Sequence, residues 1–488
     1  MQRFGRKAVE NRVNRVVFSS LLFIFAFLAL NLLVYRRVDP SLRNPVLLGF
    51  SLVFYAWGGP KFLVLLLSDT LVSWFFALAI SRNSHPGQRR ALLVADLVFL
   101  LGILGIFKYL GFFMSNWQVL FGVPEIVPTF VLPIGISFYT FQLISYVVDV
   151  YRGQVDPQPK FWKLLLYASL FHQCIAGPIV RYETIAEEID HRNVTREDTF
   201  AGIRRFCVGL AKKAVLANSC AAVADTLLGG GLEGLAAQST AGLWLGMIFY
   251  TFHIYLDFSA YSDMAIVMGR MVGFHYLENF DHPYMANSVQ QFWRKWHISL
   301  STWFRDYVYF PLGGSRCSTL KIVRNNLIVW ALTGFWHGAS WNFVFWGLYY
   351  FAFLMLERFV IRGRMPRVVD HLYLILVVVF GWVLFRFTNN AELFCVLAGM
   401  LGFAGGGLVN LQTQTIFASN VFLMLFCIVA CTDLGTRLRK WSLAKPVPGS
   451  VLFKAAAIFD TVTPILLLLL SVVALIGNSY NPFIYFRF

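Results

Sequence analysis

VVFSSLLFIFAFLALNLLVY (16–35) runs for twenty residues between Arg15 and Arg36 without a charge. At ~1.5 Å per residue, a helix of that length crosses a hydrocarbon core of ~30 Å. The pattern recurs. Twenty-three uncharged residues separate Glu125 from Asp149, twenty-three separate Glu233 from Asp257, and twenty-six separate Asp460 from Arg487. Forty lie between Glu392 and Asp433, interrupted by Gly405-Gly406-Gly407, which reads as two spans and a turn. Lipid offers the backbone no water, so continuous apolar blocks demand helices, whereas a barrel needs short alternating strands. The fold class is an all-α polytopic membrane protein with about eleven to thirteen crossings. Arg3, Arg6, Lys7, Arg12 and Arg15 give residues 1–15 the basic character of a signal-peptide start. The block that follows is too long for one and lacks a small-residue cleavage site, so a retained helix is expected.

Composition agrees. Apolar residues make up 58% of 488 positions and charged ones 14%, with a mean hydropathy of +0.64. A soluble domain needs more polar surface than this. The net charge of +16 would suggest nucleic acid in a soluble protein. In a membrane chain, basic loops set orientation and touch anionic headgroups, so lipids are the expected partner and nucleic acid is not. The same charge would also attract a polyanionic donor such as a coenzyme A thioester. Seven cysteines (Cys174, Cys207, Cys220, Cys317, Cys395, Cys427, Cys431) form no C-x-x-C pair, and no His lies near Cys427 and Cys431. They read as packing residues, with no metal site.

No disordered linker or internal repeat divides the chain, so one transmembrane domain, 16–488, is expected behind the basic extension 1–15. The polar interval from Arg181 to Lys213 reads as a cytoplasmic loop with amphipathic helices. Pro124, Pro128 and Pro133 precede an apolar run, placing a helix start near Pro133. Lys163 to Arg181 carries His172, Gln173 and a Gly177-Pro178 break, and such a segment is tolerated at membrane depth only inside protein or a wet cavity. A re-entrant hairpin fits.

Chemistry concentrates in NNLIVWALTGFWHGASWNFVFWGLYYFAFLML (325–356), whose single ionisable group besides tyrosine is His337. Trp336, Gly338, Trp341 and Asn342 flank it. An ionisable group at that depth is costly and marks function by default, and imidazole exchanges protons near neutrality. The alternative is a histidine bonded to a neighbouring helix to hold the bundle. Gly334 and Gly338 form a G-x-x-x-G that suits close helix contact. Upstream lies QQFWRKWHISLSTWFRDYVYFPLGGSR (290–316). Read as one helix, Phe292, Trp296, Leu300, Trp303, Tyr307 and Phe310 form an apolar stripe, and Arg294, His297, Ser301 and Arg305 line another face. Such a helix either lies at the membrane surface or dips toward a buried site. Asp257 and Asp263, six residues apart with hydroxyls between, suit orienting a histidine at a helix break or capping a turn. The sequence contains no Walker loop, G-x-S-x-G elbow or H-E-x-x-H motif, leaving hydrolysis and nucleotide-driven transport without a foothold.

FWRKWHISLSTWFRDYVYFPLGG (292–314) and GFWHGASWNFVFWG (334–347) resemble the membrane-bound O-acyltransferase family, in particular the bacterial branch acting on extracytoplasmic polymers. VVFSS (16–20), LPIGISFYTFQLISYVVDVYRG (132–153), AGPIVRY (176–182), YLDFSAYSDMAIVMG (255–269), ENFDHPY (278–284) and NPFIYFRF (481–488) extend the likeness. The resemblance implies a ring of helices around a central tunnel, with re-entrant and amphipathic elements and a catalytic core near 132–350. It implies His337 as the catalytic histidine and His297 as a second tunnel histidine. It further implies cytoplasmic acetyl-CoA as donor substrate, no permanently bound cofactor, a polysaccharide acceptor, an extracytoplasmic partner of SGNH-hydrolase type, and a bacterial inner membrane. Arg294, Ser301, Arg305, Trp336, Asn342, Asp257 and Asp263 are the candidate substrate-binding residues. The expected reaction is thioester acyl transfer with His337 as general base. The rivals are a transporter or exporter, and a non-catalytic scaffold for a surface acetyltransferase.

Overall fold

The computed structural model describes residues 18–122, 131–174, 177–361, 366–438, 451–477 and 481–482, apart from the side chains of 451–457. The expectations for residues 1–15, for Pro124 and Pro128, and for most of NPFIYFRF lie outside the described residues. Within them the regular structure is helical, with no strand. Seven described helices are long and apolar enough to span a bilayer: Pro60–Arg82, Pro86–Phe121, Arg196–Leu228, Trp341–Ile361, Arg367–Arg386, Leu411–Ala430 and Ile458–Gly477. Other apolar blocks became shorter or polar-bearing helices. Ile136–Arg152, for example, has seventeen residues and is almost wholly buried in protein.

The chain divides into two compact units. The first holds residues up to Ile203 together with Met264–Leu277. Its Ile136–Arg152 helix starts three residues later than the proline suggested. Gly135 stands before it at φ 74°, and a Cβ there would collide with the Cys174 carbonyl. The polar stretch after Lys163 is broken earlier than Gly177-Pro178, at Leu170, into Phe161–Ser169 and Phe171–Cys174. His172 and Gln173 are fully buried, and His172 Nδ1 lies 2.8 Å from the Tyr276 hydroxyl.

The second unit holds Arg204–Asp263 and everything from Glu278 onward. The forty-residue block became Asn390–Ala398, extended by the turn Gly399–Phe403, and Leu411–Ala430, joined through the glycine turn. The six helices that carry the site are α1 (Thr240–Met271), α2 (Val289–Lys295), α3 (Ile298–Phe304), α4 (Thr319–His337), α5 (Trp341–Leu356) and α6 (Arg367–Arg386).

Two expectations are corrected here. Only Tyr182–Asp190 of the basic interval is a separate amphipathic helix. From Arg196 onward the chain is one helical run to Leu228, and acids within this unit compensate its cations, so they need no solvated loop. Arg204 pairs with Asp460 at 2.6 Å and Lys212 with Asp263 at 2.7 Å. Asp257 to Asp263 is neither break nor capped turn: α1 continues through it, because those carboxylates find cations rather than backbone N–H groups.

Candidate active site

α4 and α5 form a tight hairpin. Gly334 faces the Phe343 carbonyl and Gly347 faces the Trp330 carbonyl so closely that a Cβ on either would collide. The close contact expected of Gly334 is therefore made, but with Gly347 of the next helix. Gly338 lies past the end of α4, where the Phe343 ring occupies the space a Cβ would need. This packing sets His337, the last residue of α4, against aromatic walls. Its ring centroid is 4.9 Å from Trp346, 5.0 Å from Trp336 and 5.2 Å from Phe385. Only 7% of its surface is exposed.

The 292–310 stretch is not one helix. α2 ends at Lys295, Trp296 is extended, and His297 adopts φ 45° and ψ 57° before α3 begins. A left-handed non-glycine residue is uncommon and costs on the order of 1–3 kcal/mol, which surrounding contacts must offset. Those contacts are explicit. Ile298 N–H donates to the Asn279 carbonyl at 2.9 Å, and Asp281 N–H donates to the Lys295 carbonyl at 3.0 Å. The Ser301 hydroxyl donates to the Trp293 carbonyl at 3.1 Å, tying α3 back to α2. The Lys295 ammonium donates to Asp281 at 2.9 Å and holds its carboxyl below the usual carboxylate range. The break turns His297 inward, to 1% exposure, while Arg294 and Arg305 stay exposed.

His297 and His337 share one neighbour. Trp336 lies 5.7 Å from the His297 ring and 5.0 Å from the His337 ring, so the two imidazoles flank a single indole. Phe258 of α1 meets His297 edge-on at 4.7 Å. Burial pushes the His297 pKa down to about 3, which keeps this imidazole neutral at working pH.

Of the residues singled out in the sequence, the structure brings together His297, His337 and Trp336. Asn342, on α5, donates its amide to the Leu384 carbonyl of α6 at 3.1 Å. The others have different surroundings. Arg305 is bound to its neighbour Asp306 at 2.6 Å, and Ser301 serves the α2–α3 break. Asp257 is fully buried with Lys213 at 2.8 Å, and Asp263 is held by Arg205 at 2.6 Å and by Lys212. Sequence reasoning missed Asn279, whose side chain meets His297. It lies inside ENFDHPY, but a lone asparagine has no periodicity or charge to mark it. Five of the cysteines are buried, with the Cys220 and Cys427 sulfurs 3.3 Å apart.

Comparisons with known proteins identify the family. The sequence profile of the membrane-bound O-acyltransferase family matches residues 155–397, which include both histidines. A probable alginate O-acetylase of Azotobacter vinelandii is 35% identical over 97% of this chain and 100% of its own length. A peptidoglycan O-acetyltransferase of Helicobacter pylori is 33% identical over 83% of each chain. A teichoic acid D-alanyltransferase of Bacillus subtilis is 25% identical over 46% of this chain and 59% of its own. Likeness along nearly the whole length leaves one conclusion: this chain is a multi-pass membrane enzyme of the membrane-bound O-acyltransferase family.

Proposed function

We propose that the protein transfers an acetyl group from cytoplasmic acetyl-CoA toward an extracytoplasmic polysaccharide of the alginate or peptidoglycan type, with His337 as general base. The observation that carries this reading is the buried pair of imidazoles flanking Trp336, one of them neutral and held by a strained backbone. The names of the full-length relatives support the acetyl group and the polymer.

In this mechanism His337 takes the proton of an acceptor hydroxyl as its oxygen attacks the thioester carbonyl. The C–O bond forms, the C–S bond breaks, and the proton passes from the imidazole to the leaving thiolate. His297 positions the reactants or shares that proton traffic. Proton transfer of this kind contributes ~10²–10⁴ in rate. Aromatic walls around His337 limit water and hence wasteful thioester hydrolysis. Transfer in this reading is direct, from thioester to acceptor hydroxyl, without an acyl-enzyme. The immediate acceptor is the polymer or an extracytoplasmic acetyltransferase of SGNH-hydrolase type that hands the group on. Arg294, exposed at the end of α2, is a candidate for the donor's phosphates.

The test is incorporation of labelled acetyl from acetyl-CoA by membranes containing the protein and candidate polymers. His337→Ala should abolish incorporation while the protein still reaches the membrane. Normal incorporation by that variant would refute the assignment.

A further inference from the structure

The Asn279 side chain meets three polar groups through one atom. Its Oδ1 lies 2.8 Å from the Ser299 hydroxyl, 3.2 Å from the Ser299 amide nitrogen and 3.1 Å from His297 Nδ1. A backbone N–H can only donate. An asparagine turned the other way would set its NH2 against that N–H, donor against donor, so the oxygen must face this group. The Asn279 oxygen carries no hydrogen, so the Nδ1 that meets it must donate; the Ser299 hydroxyl, 3.4 Å from the same nitrogen, sits closer to Oδ1 and donates there. In a neutral imidazole one nitrogen carries the proton and the other the lone pair. The lone pair is therefore on Nε2, which is buried without a hydrogen-bond partner among the described residues.

The asparagine itself is anchored on both sides. Its own carbonyl accepts from Ile298 N–H, and its neighbour Glu278 is bound by Arg205 at 2.5 Å, the same guanidinium that holds Asp263. Phe258 and Trp336 fix the plane of the ring.

The geometry points to Asn279 as the residue that locks His297 in its Nδ1–H tautomer and thereby presents Nε2 to the site as a proton acceptor. Asn279 is a positioning residue: it acts through His297, and its part in catalysis rests on the acyl-transfer reading above. When Nε2 takes up a proton, Nδ1–H stays bonded to Asn279 and the ring keeps its orientation. The opposite tautomer would present an N–H where the reaction needs a lone pair, and it would set a bare Nδ1 against the asparagine oxygen.

The tautomer can be read directly by 15N NMR of histidine-labelled protein in detergent, using His297→Gln to identify the two ring signals of residue 297. The wild type should show a protonated Nδ1 and a bare Nε2. Asn279→Asp, whose carboxylate still accepts, should keep Nδ1 protonated. Asn279→Ala should lose that preference and lower kcat about tenfold, a part of what proton transfer contributes, with the donor's KM unchanged. A wild-type spectrum with the proton on Nε2 overturns the proposal, as does an Asn279→Ala protein with full kcat. Should the alanine variant not fold, the wild-type and aspartate spectra still decide. The spectra do not depend on turnover, so absence of acetyl transfer by the wild type would sink the proposed function and leave the tautomer standing.

Discussion

Lys213 and Asp257 are both fully buried, 2.8 Å apart, and the Lys213 ammonium also donates to the Pro482 carbonyl. Two charges taken out of water are not strongly stabilising as a pair, but each becomes expensive once the other is gone. Lys213→Met should therefore destabilise the protein by about 3–5 kcal/mol, and adding Asp257→Leu should recover much of the loss. Thermal unfolding of the purified protein in detergent measures both, and a single variant as stable as the wild type would refute the argument. The same pair explains what was legible at this scale. His337 stood out because it is the one ionisable side chain of its block apart from tyrosine, and an isolated charge-bearing group in an apolar run is visible without any partner. Asp257 was visible too, but its meaning lay in a cation forty-four residues upstream, and sequence spacing carries no record of that contact. Asn279 was harder still, since nothing local separates a clamp from an ordinary polar loop residue.

Among elements, the α4–α5 hairpin fixes where His337 sits. Its two backbones touch at Gly334 and Gly347, with each glycine facing a carbonyl of the other helix. Backbone cannot yield as the end of a flexible side chain can, so Gly347→Ala must push the helices apart. The expected cost is about 1–3 kcal/mol, together with a loss of acyl transfer, because His337 would move relative to Trp346 and Phe385. Gly102→Ala is the control. Its helix position opens onto empty space, where replacing glycine should be neutral or stabilise by about 0.4–1 kcal/mol. Equal melting temperatures and rates for the two variants would show that the hairpin contact is not what sets the site. The spacing of Phe292 to Phe310 reads as one amphipathic helix, and the actual break at Trp296–His297 is invisible to periodicity. Residues on either side keep helical spacing, and the left-handed turn at His297 is held by Asn279 and Asp281, which lie outside the segment. Helix existence was readable from local pattern, and this break depended on tertiary contacts.

For the molecule as a whole, the decisive fact is how much apolar surface faces outward. Leu411 is 77% exposed, Phe422 74% and Leu469 57%, each on a helix apolar and long enough to span. Water would not tolerate so continuous an apolar exterior, and a hydrocarbon solvent accounts for it. The long uncharged blocks announced this solvent directly, which is why the membrane class was legible. Crossings are harder to count where an apolar block packs inside protein, as Ile136–Arg152 does, because burial in protein and burial in lipid select the same residues. The outward faces give a way to tell the two apart. Leu469→Arg, near the middle of the Ile458–Gly477 helix, should cost about 2.5–3.5 kcal/mol of insertion and reduce the membrane-integrated fraction measured after carbonate extraction. Ser315→Arg adds the same charge at an exposed turn and should leave that fraction unchanged. If both variants integrate equally well, the Ile458–Gly477 helix does not face lipid, and its exposed leucines await a protein partner instead.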